Sequence, residues 1–324
     1  MKILVIRREN IGDLVCITPL LHALRQQLPT ARIQALVTRY NAPVLQGNPD
    51  LDAVHAYQKA KHRTAGETLA GIYWDRLKTV LYLRRQRFDY VLLPGGAHAS
   101  ALRFARMIAP RQVLVRDDQD RVAGPHEVQQ CCHLLLRMGL QYQEPATRVV
   151  ADPVLRQRVR GGLGQSLDGA VQRIGVHISA RKLSQRWPAE RFAELINRLN
   201  ARPGVRCLLF WSPGAADDPK HPGDDAKAEA VIRQVTGEVL PVPTGELDQL
   251  IAALDLCDSF ICADGGAMHL AAALGKPMVC LFGDSDTDRW HPWGNRSEVL
   301  QPASRHVQDI SVAEVLDALA RLTD

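Results

Sequence analysis

Aromatic residues are scarce, 5% of 324. Single-stranded nucleic acids are usually held by stacking bases on aromatic rings, so a binder of that kind is not expected. No apolar run reaches the roughly 18 residues needed to span a bilayer. The first residues, "MKILVIRREN", carry no small-residue cleavage site, so no secretory leader is read there. Any membrane contact is expected to be peripheral. The seven cysteines form no C-x-x-C pair and sit mostly in apolar runs. They read as buried, reduced thiols of a cytoplasmic protein. No His/Cys cluster has zinc spacing, and there is no G-x-S-x-G elbow. The first strand is not followed by G-x-G-x-x-G, since Gly12 stands alone in "RRENIGDLV". That disfavours a dinucleotide oxidoreductase, and a Walker A lysine motif is also missing.

The chain is long enough for two domains, and its 46% hydrophobic and 23% charged content is that of a soluble globular protein. Its net charge of +5 is unevenly spread. Residues 1–160 carry 24 Lys+Arg against 13 Asp+Glu, whereas residues 161–324 carry 16 against 22. A basic first half suits an anionic partner, or is simply a soluble surface.

β-Branched runs alternate with amphipathic ones. "KILVIRR", "RIQALV", "DYVLLPGG" and "QVLVRD" read as strands. "LVCITPLLHALRQQL", "YWDRLKTVLYLRRQRF", "ASALRFARMIA" and "HEVQQCCHLLLRMGL" read as helices, the first starting or bending near Thr18-Pro19. From about residue 141 the pattern lapses into a segment rich in Gly, Pro, Gln and Arg. A linker is placed at about 151–171, with a short helix in "PVLRQRV". Alternation restarts with "RIGVHIS" and runs to the closing helix "VAEVLDALARL". The expectation is α/β: two doubly wound parallel-sheet domains, 1–150 and 172–324, facing each other across a cleft.

The stretch "SFICADGGAMHLAAALGKPMVCLFG" reads strand, turn, helix, strand. Two glycines before a helix allow close backbone approach, and free N–H groups at the helix start suit an anion. The segment Asp264, Gly265, Gly266, Ala267, Met268 and His269 is therefore a candidate anion site. Met268 and "LAAAL" are also the natural packed face of that helix. Gly12-Asp13 opens the first helix, where Asp13 is either a cap or a base. "HISARKLSQRWP" carries Arg181, Lys182 and Arg186, with Ser179 just past a strand. It is either a phosphate-facing loop or a solvated basic one. Asp284-Ser285-Asp286 is a D-x-D, which can hold a divalent metal.

These stretches together resemble a known family. "ILVIRRENIGDLVCITPLLHALR", "HEV" at 126–128, "RWPAERFAELINRL" and "ADGGAMHLAAALGKPMVCLFG" resemble, in order and spacing, segments of the bacterial heptosyltransferases, glycosyltransferase family nine. The resemblance implies the GT-B fold, with two Rossmann-like domains. It implies inverting transfer of a heptose from ADP-heptose to the lipopolysaccharide inner core. It makes Asp13 the general base and 264–269 the holder of the donor diphosphate, with His269 adding a bond to phosphate or ribose. Lys182 and Arg186 become catalytic cations, and Ser179 a donor contact. It also implies an acidic residue on the donor ribose, with Asp217, Asp218, Asp224 and Asp225 all eligible. Relatives often have lysine two places before the Trp-Pro, where this chain has Gln185. The D-x-D belongs to the other main transferase fold, so no metal and no cofactor beyond the nucleotide sugar is expected. Expected partners are the donor, a lipopolysaccharide-core or other glycan acceptor, and the inner-membrane surface through Arg84, Arg85 and Arg87; no nucleic acid is expected. Rival readings are another sugar or acceptor, a nucleotide-sugar epimerase, and a non-catalytic envelope-assembly module that binds nucleotide or lipid.

Overall fold

The structure, a computed structural model, describes the chain except residues 61–62, 64–65, 118–123, 219–221 and 324. The chain divides into two compact units, Met1–Val150 and Ala151–Asp324.

The first unit holds strands β1 (Lys2–Ile6), β2 (Arg32–Thr38), β3 (Ala53–Tyr57), β4 (Tyr90–Leu93) and β5 (Gln112–Val115). They form one sheet in the order β3-β2-β1-β4-β5, and every pairing is parallel. Its helices are α1 (Ile11–Val15), α2 (Thr18–Gln27), α3 (Leu69–Arg85), α4 (Ala99–Ile108), α5 (Glu127–Cys132) and α6 (Leu134–Arg137). The continuous apolar runs of β1 and β4 are buried because a parallel sheet is covered on both faces. Leu4, Ile6, Leu36, Val91 and Leu93 pack against Val80 and Leu83 of α3 and Phe104 and Ile108 of α4.

The opening helix is split at Cys16-Ile17, with Pro19 in the first turn of α2, where its missing N–H costs nothing. Strand β3 was not anticipated from the sequence. "AVHAY" is short, edge-placed and only partly buried, so it carries little hydrophobic signal.

The second unit holds β6 (Gln172–His177), β7 (Val205–Trp211), β8 (Leu240–Pro243), β9 (Ser259–Ala263), β10 (Met278–Leu281) and β11 (Ser297–Leu300). They form a second all-parallel sheet, β11-β10-β9-β6-β7-β8. Its helices are α7 (Pro153–Gly162), α8 (Ala189–Asn200), α9 (Asp225–Gln234), α10 (Leu247–Leu254), α11 (Gly266–Ala273), α12 (Thr287–Trp290) and α13 (Val312–Thr323). The two prolines of β8 are tolerated because it is an edge strand. Trp187 is core: its indole donates to the Ile310 carbonyl at 2.9 Å and meets Phe192 edge-on.

The stretch expected to be a linker is largely structured and belongs to the second unit. Asp152 caps α7 by accepting from the N–H groups of Val154 and Leu155, and Arg156 of α7 pairs with Asp255 at 2.5 Å. The helix read in "PVLRQRV" is there, and it extends to Gly162. All seven cysteines are buried and free.

Candidate functional site

In an open parallel sheet, ligands bind outside the carboxyl ends of the strands, where the strand order reverses. In the first unit that point lies between β1 and β4, and in the second between β9 and β6. The segments following β1, β6 and β9 contain the residues the sequence singled out.

After β1 the chain runs Arg7, Arg8, Glu9, then Asn10 as the N-cap of α1. Asp13 is not the cap; it is the third residue of the helix and reaches back. Its Oδ2 accepts from the Asn10 backbone N–H at 3.0 Å and from the Asn10 side chain at 2.9 Å. Its Oδ1 accepts from Arg7 Nη2 at 2.6 Å. Asp13 is only 9% exposed. Burial alone would raise its pKa, but the Arg7 charge and the Asn10 hydrogen bonds outweigh it and hold the carboxyl below its usual value.

The same Arg7 Nη2 also donates to Glu127 Oε1 at 2.8 Å. Glu127 is fully buried and takes a second cation, Arg116, at 2.5 Å. His126 sets this helix start: its Nδ1 accepts from the Val128 N–H at 3.1 Å, which leaves Glu127 as the first helical residue. Arg7, Glu127 and Arg116 were not picked out as site residues from the sequence. The available signal was a pair of arginines directly after a buried strand, whose charges must find partners as the strand is covered.

In the second unit, β9 ends at Ala263, and α11 starts at Gly266 behind Gly265. Gly265 is extended, with φ 162° and ψ −171°, a conformation open to any residue. A Cβ built there meets nothing within 4 Å. Neither backbone strain nor protein packing calls for glycine here, so the space in front of the helix N-terminus stays clear. His269 is buried, and its ring meets Trp290 edge-on at 6.0 Å. Ala267 and Met268 are buried as well, as a packed helix face requires.

The basic loop after β6 is stapled to this turn. Gln185 Nε2 donates to Asp264 Oδ2 at 2.7 Å and to Ser285 Oγ at 2.9 Å. Ser184 Oγ donates to Asp284 Oδ1 at 2.8 Å. A Cβ at Gly283 would come within 2.4 Å of the Ser184 carbonyl, so this position requires glycine. Lys182 is half exposed and pairs with Asp284 at 3.2 Å. Arg186 donates through Nε to the Ala180 carbonyl. Ser179 accepts from the Ser212 N–H at 2.9 Å, joining the ends of β6 and β7.

The D-x-D does not present a paired carboxylate face. Asp284 is taken by Lys182 and Ser184, whereas Asp286 caps α12 through the N–H groups of Asp288 and Arg289. Among the described residues no group of three or more His, Cys, Asp or Glu could hold a metal ion.

The structure separates the four acidic residues of the 211–230 loop, of which residues 219–221 lie outside the described set. Asp225 accepts from the Trp211 indole at 2.7 Å and the Gly214 N–H at 2.9 Å, so it holds the loop. Asp224 is the N-cap position of α9 and is half-buried. Asp217 and Asp218 are exposed. One cation the sequence did not reveal is Lys227 of α9. Its Nζ donates to the Ile178 carbonyl at 2.9 Å and lies 5.0 Å over the Phe192 ring. Burial lowers its pKa to about 8, with Arg186 adding to the shift and Asp224 and Glu190 opposing it. A lysine in "DDAKAEA" looks like a surface residue until β6 is known to end beside it.

Among the described residues no helix is long and apolar enough to cross a membrane. The chain is similar to lipopolysaccharide heptosyltransferase 3 of Escherichia coli, 24% identical over 88% of this chain and 84% of that protein. Its fold matches the glycosyl transferase family 9 protein from Veillonella parvula DSM 2008, with TM-score 0.84, 20% identity, and coverage of 99% and 96% of the two chains. It also matches E. coli heptosyltransferase WaaC with ADP-2-deoxy-2-fluoro heptose, with TM-score 0.74, 19% identity and 99% of both chains covered. The architecture is GT-B, two parallel sheets flanked by helices. Residues 76–317 match the model of glycosyltransferase family 9 (heptosyltransferase), and the chain belongs to that family of glycosyltransferases.

Proposed function

We propose that the protein transfers a heptose from ADP-heptose to the inner core of lipopolysaccharide, with inversion at the anomeric carbon. The observation that carries the reading is Asp13. It is a buried carboxylate at the β1 switch point, kept ionised by Arg7 and Asn10, as a general base must be. Oδ1 accepts from Arg7, and a carboxylate oxygen has two acceptor directions. The second is the one this reading assigns to the acceptor hydroxyl.

In the proposed step, Asp13 takes the proton of the acceptor hydroxyl. The hydroxyl oxygen bonds to the anomeric carbon, and the bond from that carbon to the diphosphate breaks. The electron pair leaves with ADP. Negative charge then grows on the diphosphate, and the N–H groups at 266–268 are the donors assigned to it, since the His269 N–H donates to the Gly265 carbonyl. His269 is assigned a further bond to the donor. Lys182, Arg186 and Lys227 are cations assigned to that end of the second sheet, and Ser179 and Asp224 are the polar groups assigned to the nucleoside side. The sugar and the acceptor are taken from what the relatives are named for, at identities near 20–24%.

The test is ADP release by purified protein supplied with ADP-heptose, with and without lipopolysaccharide truncated in the inner core, alongside Asp13→Asn. Release that needs acceptor and vanishes in the variant supports the reading. Release without acceptor points to hydrolysis or epimerisation. ADP binding without release points to another sugar or acceptor.

A further inference from the structure

Helix α3 buries Ile72, Val80 and Leu83 against the first sheet. Six other large apolar side chains of this helix are exposed: Leu69, Tyr73, Trp74, Leu77, Leu81 and Tyr82. Scattered exposed apolar residues are ordinary, but these are not scattered. Leu69, Tyr73, Leu77 and Leu81 recur every four residues, so they form one slowly turning stripe along an exposed flank of the helix, with Trp74 beside its Leu77–Leu81 end. Trp74 is 59% exposed, the most of the six. The helix is well formed: Thr68 caps it by accepting from the Gly71 N–H at 3.1 Å.

The charge around the stripe has one sign. Lys78, Arg84 and Arg85 of α3 are exposed, and so are Arg103 and Arg106 of α4. Arg84 donates to the Met107 carbonyl at 3.0 Å, which ties α4 to this end of the helix. The one acidic residue of α3, Asp75, is paired with Lys78 at 3.3 Å. A symmetric contact between two copies would set the same patch against itself, cation against cation. An anionic bilayer surface meets both features. Trp and Tyr prefer the headgroup level, leucines reach the acyl boundary, and Lys and Arg extend to the lipid phosphates.

We propose that the exposed face of α3, centred on Tyr73, Trp74, Leu77 and Leu81 and flanked by Lys78, Arg84 and Arg85, docks the protein on an anionic lipid bilayer. The arginines at 84 and 85 are then the rim of an apolar contact, with the anchor half a helix earlier. This goes beyond the transferase reading, and its test contains no sugar donor, so either can fail alone.

The experiment is flotation of the full chain on phosphatidylcholine vesicles and on vesicles with a quarter phosphatidylglycerol, at low and high salt. Wild type is expected to float with the anionic vesicles and to dissociate as salt rises. The double variant Leu77→Glu/Leu81→Glu is expected to weaken binding by about tenfold or more. Lys78→Glu and Arg85→Glu are each expected to weaken it about fivefold at low salt. All are exposed positions, so melting temperature and ADP binding should stay at wild-type values, and Trp74→Ser provides a second apolar variant. Absence of flotation by wild type overturns the proposal. So does flotation of the Leu77→Glu/Leu81→Glu variant at wild-type strength. A wild-type dimer in sedimentation that the same variant dissolves, without vesicle binding, assigns the face to a second copy and also overturns it.

Discussion

One guanidinium nitrogen serves two carboxylates: Arg7 Nη2 lies 2.6 Å from Asp13 Oδ1 and 2.8 Å from Glu127 Oε1. Arg116 Nη1 donates to the same Glu127 oxygen at 2.5 Å. Arg7 and Arg116 with Asp13 and Glu127 thus form a buried row, and the half-buried Glu9 adds a third carboxylate at 3.2 Å from Arg7 Nε. Such a row is costly to break, because removing Arg7 leaves the buried Asp13 carboxylate without its cation. It also makes the basicity of Asp13 depend on residues that do not touch it.

Opposite variants of this row should move Asp13 in opposite directions. Arg7→Gln removes a cation, so the acid limb of kcat/KM should shift to higher pH. Glu127→Gln leaves Arg7 and Arg116 less compensated, so the limb should shift to lower pH. The neighbouring Cys16 and Cys131 stay neutral, since burial pushes both thiols up, that of Cys131 to about 12. Each variant should also cost about 3 kcal/mol in urea unfolding. Loss of stability with no movement of the limb would make the row structural only.

Asp13 should link stability to acid. Its folded pKa lies below the unfolded one, so its contribution is present at neutral pH. That contribution is lost as pH falls from about 4, the unfolded value, through the folded value. Asp13→Asn should therefore narrow its stability gap to wild type as pH drops, measured by denaturant melts at matched ionic strength.

Gly265 separates binding from folding. Its conformation is extended and a Cβ there meets no protein atom, so Gly265→Val should keep stability within about 0.5 kcal/mol of wild type. The new side chain would occupy the approach to the helix N-terminus. ADP affinity, measured by calorimetry, should fall by about tenfold or more. Unchanged ADP binding would remove the donor diphosphate from this turn.

Lys227 links stability to pH with the same sign as Asp13, in an alkaline window. Its pKa falls from an ordinary lysine value to about 8, so between about pH 8 and 10.5 the unfolded chain binds the extra proton. Stability should rise with pH across that window in wild type and less so in Lys227→Met. If the donor diphosphate sits beside it, Lys227→Met should also raise the donor KM more than it lowers kcat.

Gln185 stands where the family resemblance implies a lysine, and its amide bridges Asp264 and Ser285. Gln185→Lys should keep the contact with Asp264 as an ion pair and add a cation near the start of α11. ADP should then bind several-fold tighter at low salt, the scale of about 1 kcal/mol for a charge at a helix end. Weaker binding would show that the neutral bridge is what this chain needs.

The α/β alternation was written in the sequence because a strand covered on both faces must be continuously apolar. "KILVI" and "SFICA" carry that mark without help from any partner, whereas "AVHAY" at a sheet edge does not. The helix starts near Asp13 and at Gly265-Gly266 were also legible, because a break between an apolar strand and an apolar helix is marked by local polar and glycine residues. Long-range partners were not. Arg7 and Glu127 stand 120 positions apart, and Gln185 and Asp264 stand 79 apart. Which carboxylate takes which cation is settled by the order of strands in a sheet, since that order sets which loops share a switch point. Periodicity records which residues are covered, and only the folded chain decides what covers them.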